Sequence, residues 1–354
     1  MRQRGGAERA KTVRMFFWKR GVLAAAMAAL ILSGCSEYES SEELRAQAGT
    51  EAQAAAEVRT SKQTETGADI SGRSQSRTRA AVPEFETVSD RVYVNTEGGA
   101  IAENGRQVLL DPNWDYAEFA KITSGTAVLY QSQTAERKNL TICVNAGHGT
   151  KGGASVKTQC HPDGSPKVTG GTTGAGAVTA AAVSGGMTFD DGTPESSVTL
   201  SMALILKDKL LAKGYDVLMI RETEDVQLDN IARTLIANNA SDCHIALHWD
   251  STSSNKGAFY MSVPNNAAYR NMEPVKSNWQ KHNALGESLV AGLKEKGVKI
   301  FSGGSMEMDL TQTSYSTVPS VDIELGDKAS DHSQAALKQL ADGLAAGIDQ
   351  YFAG

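Results

Sequence analysis

From residue 139 onward, short apolar runs alternate with stretches whose apolar residues recur at helical spacing. That alternation restricts the chain to a sheet covered by helices. TICVN (141–145), DVLMI (216–220), CHIALH (243–248) and SVDIEL (320–325) read as strands. A helix is expected to open near Thr193-Pro194-Glu195, with Thr193 as N-cap and Pro194 in the first helical position. Its apolar face runs through Val198, Met202, Ile205, Leu206 and Leu210, and it stops at Gly214. Further helices are expected near 228–238 and around 278–296, the latter on Leu285, Leu289 and Leu293. At the C-terminus Leu337, Leu340, Leu344, Ile348 and Tyr351 recur at spacings of 3, 4, 4 and 3. The fold class that follows is α/β: a mostly parallel or mixed twisted sheet with helices on both faces, preceded by a small β-rich region.

The segment ahead of this pattern has another character. Residues 1–35 hold seven Lys/Arg and one acid, which leaves 28 basic against 40 acidic side chains in the remainder. An acidic body argues against a nucleic-acid binder, whose affinity comes largely from neutralising phosphates. After Lys19-Arg20 comes GVLAAAMAALIL (21–32), shorter than the roughly 20 residues a spanning helix needs but matched to a signal-peptide core. Leu32-Ser33-Gly34-Cys35 then resembles the bacterial lipobox, in which the signal is cut before the cysteine and the thiol is acylated. An ordinary secretory signal with an incidental cysteine is the alternative. Residues 1–34 are thus expected to be a lipoprotein signal peptide, and 35–85 a lipidated Cys35 with a disordered tether. The tether holds only six apolar residues larger than alanine, too few to offset the entropy of ordering it. Residues 86–131 form the small β-rich region, with strands expected at VYV (92–94), EFAKI (118–122) and TAVLY (126–130). KITSGTAVLYQ resembles the end of an SH3-like wall-binding barrel, with a β-rich packing appendage as the alternative. The domain at 139–354 carries a glycine-rich insert, 151–192, expected to lie over a cleft as a lid or substrate wall. Cys143 and Cys243 are expected to be buried thiols in core strands, and Cys160 to be either free or paired.

In open α/β sheets chemistry collects beyond the carboxyl ends of the strands. Those ends carry His148, His248 and Glu324, and the helix at Pro194 presents Glu195 in its first turn. Two His and one Glu around Zn²⁺, with a position open to water, is a known catalytic set, and a further carboxylate then serves as general base. Each residue also has a plainer explanation. A histidine at a strand end is commonly a hydrogen-bonded surface residue, and Glu195 alone could complement the helix dipole. His244 shares the face of His248 but sits deeper in the strand, as a packed or supporting residue.

Four segments, in order, carry a resemblance: ICVNAGHGT, PESSVTLSMALILKDKLLAKGYDVLMIRET, IARTLIANNASDCHIALHWD and STVPSVDIELG. Together they resemble the zinc-dependent N-acetylmuramoyl-L-alanine amidases over about residues 139–352. The resemblance implies one Zn²⁺ per chain bound by His148, Glu195 and His248, with Glu324 as the catalytic carboxylate. It implies peptidoglycan as substrate, cut at the amide between N-acetylmuramic acid and L-alanine. Arg221 and Arg233 match basic positions that recur in the family and read as structural. The long insert, HWD after the third ligand and the missing aromatic after ELG depart from the pattern. A membrane-anchored lipoprotein facing the cell wall is expected, acting as a monomer, with any protein activator left open. Two other readings stand beside it: a non-catalytic wall-binding lipoprotein, and a zinc peptidase acting on stem peptides.

Overall fold

The computed structural model describes residues 91–94, 100–103 and 105–353. The signal segment, Cys35 and the tether lie outside the described residues. Strands Arg91–Val94 (β1) and Ala100–Glu103 (β2) pair antiparallel with each other. Arg106–Val108 (β3), Ala127–Tyr130 (β4) and Thr141–Ala146 (β5) lead to the insert, which forms its own small hairpin from Lys157–Gln159 (β6) and Thr179–Ala181 (β7). Then follow helix Glu195–Ala212 (α1), strand Asp216–Met219 (β8), helix Asn230–Ala240 (α2) and strands Cys243–Asp250 (β9) and Ala258–Ser262 (β10). Helices Ala267–Asn271 (α3) and Val275–Glu295 (α4), strand Ile300–Glu307 (β11), helix Thr311–Tyr315 (α5), strand Ser320–Asp327 (β12) and helix Gln334–Ala353 (α6) complete the chain.

Eight strands form one sheet in the order β11-β10-β12-β9-β5-β8-β4-β3. Its four central strands, β12, β9, β5 and β8, are mutually parallel, so their carboxyl ends share one rim. β10 runs antiparallel to β12, and β4 antiparallel to β8, which makes the whole sheet mixed. Successive side chains of a strand point to opposite faces, and both faces are apolar. Ile142, Val144, Val217, Met219, Ile245 and Leu247 pack with Met202, Leu206, Leu289 and Leu344 of α1, α4 and α6. Cys143 and Leu218 face the other way, onto Ala232 and Ile236 of α2. Cys143, Cys160 and Cys243 are free, buried thiols.

Two strand expectations change. EFAKI (118–122) is not a strand: a 3-10 turn covers Ala117–Phe119, entered through Tyr116 in a left-handed conformation (φ 70°) that breaks extended pairing. TAVLY does form β4, but Val128 pairs with Met219 of β8. That strand therefore belongs to the large sheet rather than to a separate small barrel. Tyr130 reinforces the attachment by donating its hydroxyl to Glu222 Oε2 at 2.6 Å. Among the described residues no helix is long and apolar enough to cross a membrane.

Candidate metal centre

β5 leaves the sheet through Gly147 and His148, and His148 adopts φ 61°, a left-handed conformation that a histidine rarely takes. Two buried arginines hold it there. Arg221 donates to the carbonyls of Ala146 and Gly147 (3.1 and 2.8 Å), and Arg233 to the carbonyl of His148 at 2.7 Å. Gly147 is required by a close approach: a Cβ there would stand 2.3 Å from a carbon of the His248 ring. The turn thus brings a histidine from β5 against a histidine from β9.

Glu195 is the first residue of α1, and its N-cap is Pro194 rather than Thr193, one residue later than the sequence suggests. Its Oε1 accepts from the Trp249 N–H (3.0 Å) and its Oε2 from the Met187 N–H (2.8 Å). His148 Nδ1 lies 2.9 Å from the Ser184 carbonyl, which only an N–H can satisfy; in a metal-ligating, neutral ring the lone pair is then on Nε2. That Nε2 is 3.0 Å from Glu195 Oε1 and 3.0 Å from His248 Nδ1, and His248 Nδ1 is 3.2 Å from the same oxygen. Three donor atoms therefore form a nearly equilateral triangle. Ligands about 2.0–2.2 Å from a tetrahedral zinc ion stand close to such a spacing from one another. A single proton would satisfy one edge of the triangle and leave the others with opposed lone pairs. The donor set, its spacing and its burial fit a divalent cation, and among the described residues these three form the group of His, Cys, Asp and Glu side chains that could hold one. Burial pushes the Glu195 carboxyl up, but His148 and His248 outweigh it and hold it well below the usual carboxylate range.

Glu324 is the register partner of His248 across the β12–β9 ladder, so both side chains leave the same face of the sheet. Its Oε2 is buried without a hydrogen-bond partner. Burial, then the charges of Asp322, Glu195 and Asp250, push this carboxyl well above the usual range, with Lys256 opposing them. A carboxyl moved toward neutrality beside a metal pocket is suited to carry a proton in both directions.

Residues 142–350 match the family described as N-acetylmuramoyl-L-alanine amidase. The chain belongs to this family. Solved structures similar to this amidase include the N-acetylmuramyl-L-alanine amidase Ami1 from Mycobacterium smegmatis, at 18% identity and TM-score 0.49, covering 61% of this chain and 97% of that one. The apo form of Ami1 from Mycobacterium abscessus is 21% identical with TM-score 0.47, over 60% and 99% of the two chains. AmiC2 of Nostoc punctiforme is 16% identical with TM-score 0.43, over 62% and 99%. No curated protein sequence matches the amidase.

All four site residues expected from the sequence of the amidase meet at one rim. The contributions of the insert had no sequence signal. Met187 meets Glu195 through its backbone N–H, and Ser184 meets His148 through its carbonyl and its hydroxyl at 3.1 Å; a backbone atom leaves no trace in composition, and one serine among the many of this chain marks nothing. At Gly186 (φ 84°) a Cβ would sit 2.8 Å from the His148 ring and 3.0 Å from Glu195 Oε2. Elsewhere the insert is pinned to Asp309, which is fully buried. Its carboxylate accepts from His161 Nε2 (3.1 Å), Lys167 Nζ (3.0 Å), Val168 N (2.6 Å) and Thr169 N (3.1 Å), and also from the Thr169 hydroxyl. Burial opposes the charge, but His161, Thr169 and Lys167 outweigh it and keep Asp309 ionised far below the usual range. Asp322 was also missed, although its place two residues before Glu324 on a strand puts it on the same face.

Proposed function

We propose that this amidase is zinc-dependent, with His148, Glu195 and His248 as ligands, and that Glu324 carries the proton in cleavage of the amide between N-acetylmuramic acid and L-alanine in peptidoglycan. One observation carries the reading: three donor atoms of a His/Glu/His set lie within 3.2 Å of one another, with Glu324 the register partner of His248 and its buried oxygen without a partner. Zinc held there supplies a Lewis acid that polarises the amide carbonyl and lowers the pKa of water. Glu324 takes a proton from the attacking water and returns it to the departing nitrogen, which an amide needs because its amine is a poor leaving group. Glu195 stays ionised to neutralise the cation, and the Arg221 and Arg233 clamps fix the approach of His148.

We further assign Cys35 as the acylated residue of a lipoprotein, with 36–85 as a tether that lets the amidase reach the wall from the membrane. As flexible coil, about 50 residues span roughly 40 Å root-mean-square. An amidase of the cell wall works outside the cytoplasm, which agrees with a signal ending at residue 34.

Mass spectrometry of digested peptidoglycan tests the activity. Release of complete stem peptides with an L-alanine N-terminus supports it. Fragments cut within the stem would mean a peptidase, and undigested wall with bound protein would mean a binding lipoprotein. Metal analysis should give one zinc per chain, lost with activity on chelation, and full activity after exhaustive chelation sinks the zinc assignment.

A further inference from the structure

The two presumed histidine ligands need their outward nitrogens held as well as their inward ones. A neutral imidazole has one N–H and one lone pair, and the acceptor that takes the N–H decides which nitrogen faces the metal. For His148 that acceptor is the Ser184 carbonyl. For His248 the inward atom is Nδ1, and the outward Nε2 lies 3.6 Å from Asp322 Oδ2. The other oxygen of this carboxylate, Oδ1, is buried without a hydrogen-bond partner.

The sheet explains how the two groups meet. Asp322 pairs with Ala246, and Glu324 pairs with His248, along parallel strands β12 and β9. All four side chains leave one face. Ala246 carries only a methyl group, so the His248 ring can lie back along the strand toward Asp322. Asp322 is part-buried, and a carboxylate with one oxygen out of water and without a hydrogen bond is costly unless its other oxygen meets a donor. Asp322 has no other ion-pair partner among those found in the described residues, so His248 is what stands there to meet it.

We propose that Asp322 is a positioning residue: it accepts the Nε2–H of His248 and so keeps the Nδ1 lone pair directed at the metal. This rests on the metal reading above and deepens it, since Asp322 neither touches the metal nor moves a proton of the reaction. The separation of 3.6 Å is an ion-pair distance, longer than a hydrogen bond, and the ring and the carboxylate must close it. The outward nitrogen of His248 is then held by a carboxylate, and that of His148 by the carbonyl and hydroxyl of Ser184.

The test compares the full chain with Asp322→Asn, Asp322→Leu and His148→Ala, each titrated with Zn²⁺ against a chromophoric chelator. Removing a group that orients a ligand typically weakens metal affinity about 10–100-fold. Asp322→Leu should fall in that range, and Asp322→Asn should keep most of the affinity because its amide oxygen still accepts. With ¹⁵N-labelled histidine, the zinc-loaded wild type should show a slowly exchanging Nε2 proton on His248. That signal should vanish in Asp322→Leu and shift in Asp322→Asn. A role in folding alone would leave it where it was. An affinity within twofold of wild type and an unchanged signal in Asp322→Leu overturns the proposal. If that variant does not fold, the same unchanged pair of results in Asp322→Asn overturns it. Complete loss of zinc in Asp322→Leu, as in His148→Ala, makes Asp322 a ligand and also overturns it. A wild type that binds no zinc refutes the metal reading itself, and is told apart because His148→Ala then has nothing to lose.

Discussion

Acidification from pH 8 to pH 5 should destabilise this protein through two histidines remote from substrate. His244 is fully buried, with Nε2 3.1 Å from the Asn145 amide nitrogen, and His282 accepts the Ser320 N–H at 3.0 Å. Each has a second ring nitrogen that is buried without a partner. Burial, then Arg233 and His282, pushes His244 down to about 3, and burial, then Lys281, pushes His282 down to about 3. Both are therefore neutral in the folded state and gain protons near the ordinary value of about 6.5 once unfolded. With the folded value depressed, stability is complete above pH 6.5 and is lost as the pH falls below it. The slope is about 1.4 kcal/mol per pH unit for each histidine, which integrates to roughly 2 kcal/mol each at pH 5 and about 4 for the pair. The result at pH 5 needs only a folded value well under 5. Urea denaturation at pH 8, 6 and 5 under constant chelator should show this against a His244→Gln/His282→Gln variant, because glutamine keeps an acceptor and does not titrate. Other groups cancel in the difference between the two proteins. A difference that stays constant within about 0.5 kcal/mol from pH 8 to pH 5 would refute the buried, neutral assignment.

Three further outcomes are expected. Glu324→Gln should retain zinc while turnover falls by about 10²–10⁴-fold, whereas Glu195→Gln should lose zinc affinity itself; paired metal analysis and kinetics check this, and the reverse pattern would exchange ligand and base. Asp309→Ala should cost about 3–5 kcal/mol by stranding buried Lys167, and limited proteolysis should then cut within 161–178 much faster; an unchanged cleavage rate would show that Asp309 does not hold the insert. Cys35→Ser should release the protein from the membrane fraction, and equal incorporation of labelled fatty acid into this variant would remove the anchor.

The central strands and long helices were legible because their patterns report burial directly. The period-2 runs at 141–145 and 243–248, and the leucine spacing of the last helix, are the residues that pack on both sides of the sheet. β11 was not legible: IFSGGSME is a half-exposed edge strand, and an edge needs no apolar face. The Ala117–Phe119 turn was misread because EFAKI is a short, partly apolar run ahead of the Ser124-Gly125 turn, and the left-handed Tyr116 that prevents a strand leaves no compositional mark. At the site, the residues whose chemistry requires a particular side chain were visible at strand ends. Met187, which acts through its amide, and Ser184, which acts through its carbonyl and a hydroxyl common along the chain, were not. Asp322 lay between: its spacing from Glu324 was in plain view, but its partner is fixed only by the register of β12 on β9.

With a cation held by His148, Glu195 and His248 as proposed, the contacts of residues 184–187 with His148 and Glu195 tie a loop's docking to that cation's dissociation constant. Whatever factor the seated insert contributes to metal affinity, bound metal must return to the seating of the insert, because the two equilibria share one thermodynamic cycle. A glycan strand or partner protein that lifted the insert would loosen the metal to the same degree. Conversely, starving the amidase of metal would first be felt as a loosened loop. Asp309, which holds residues 161–169 of the same insert, would then bear on metal affinity without touching either ligand.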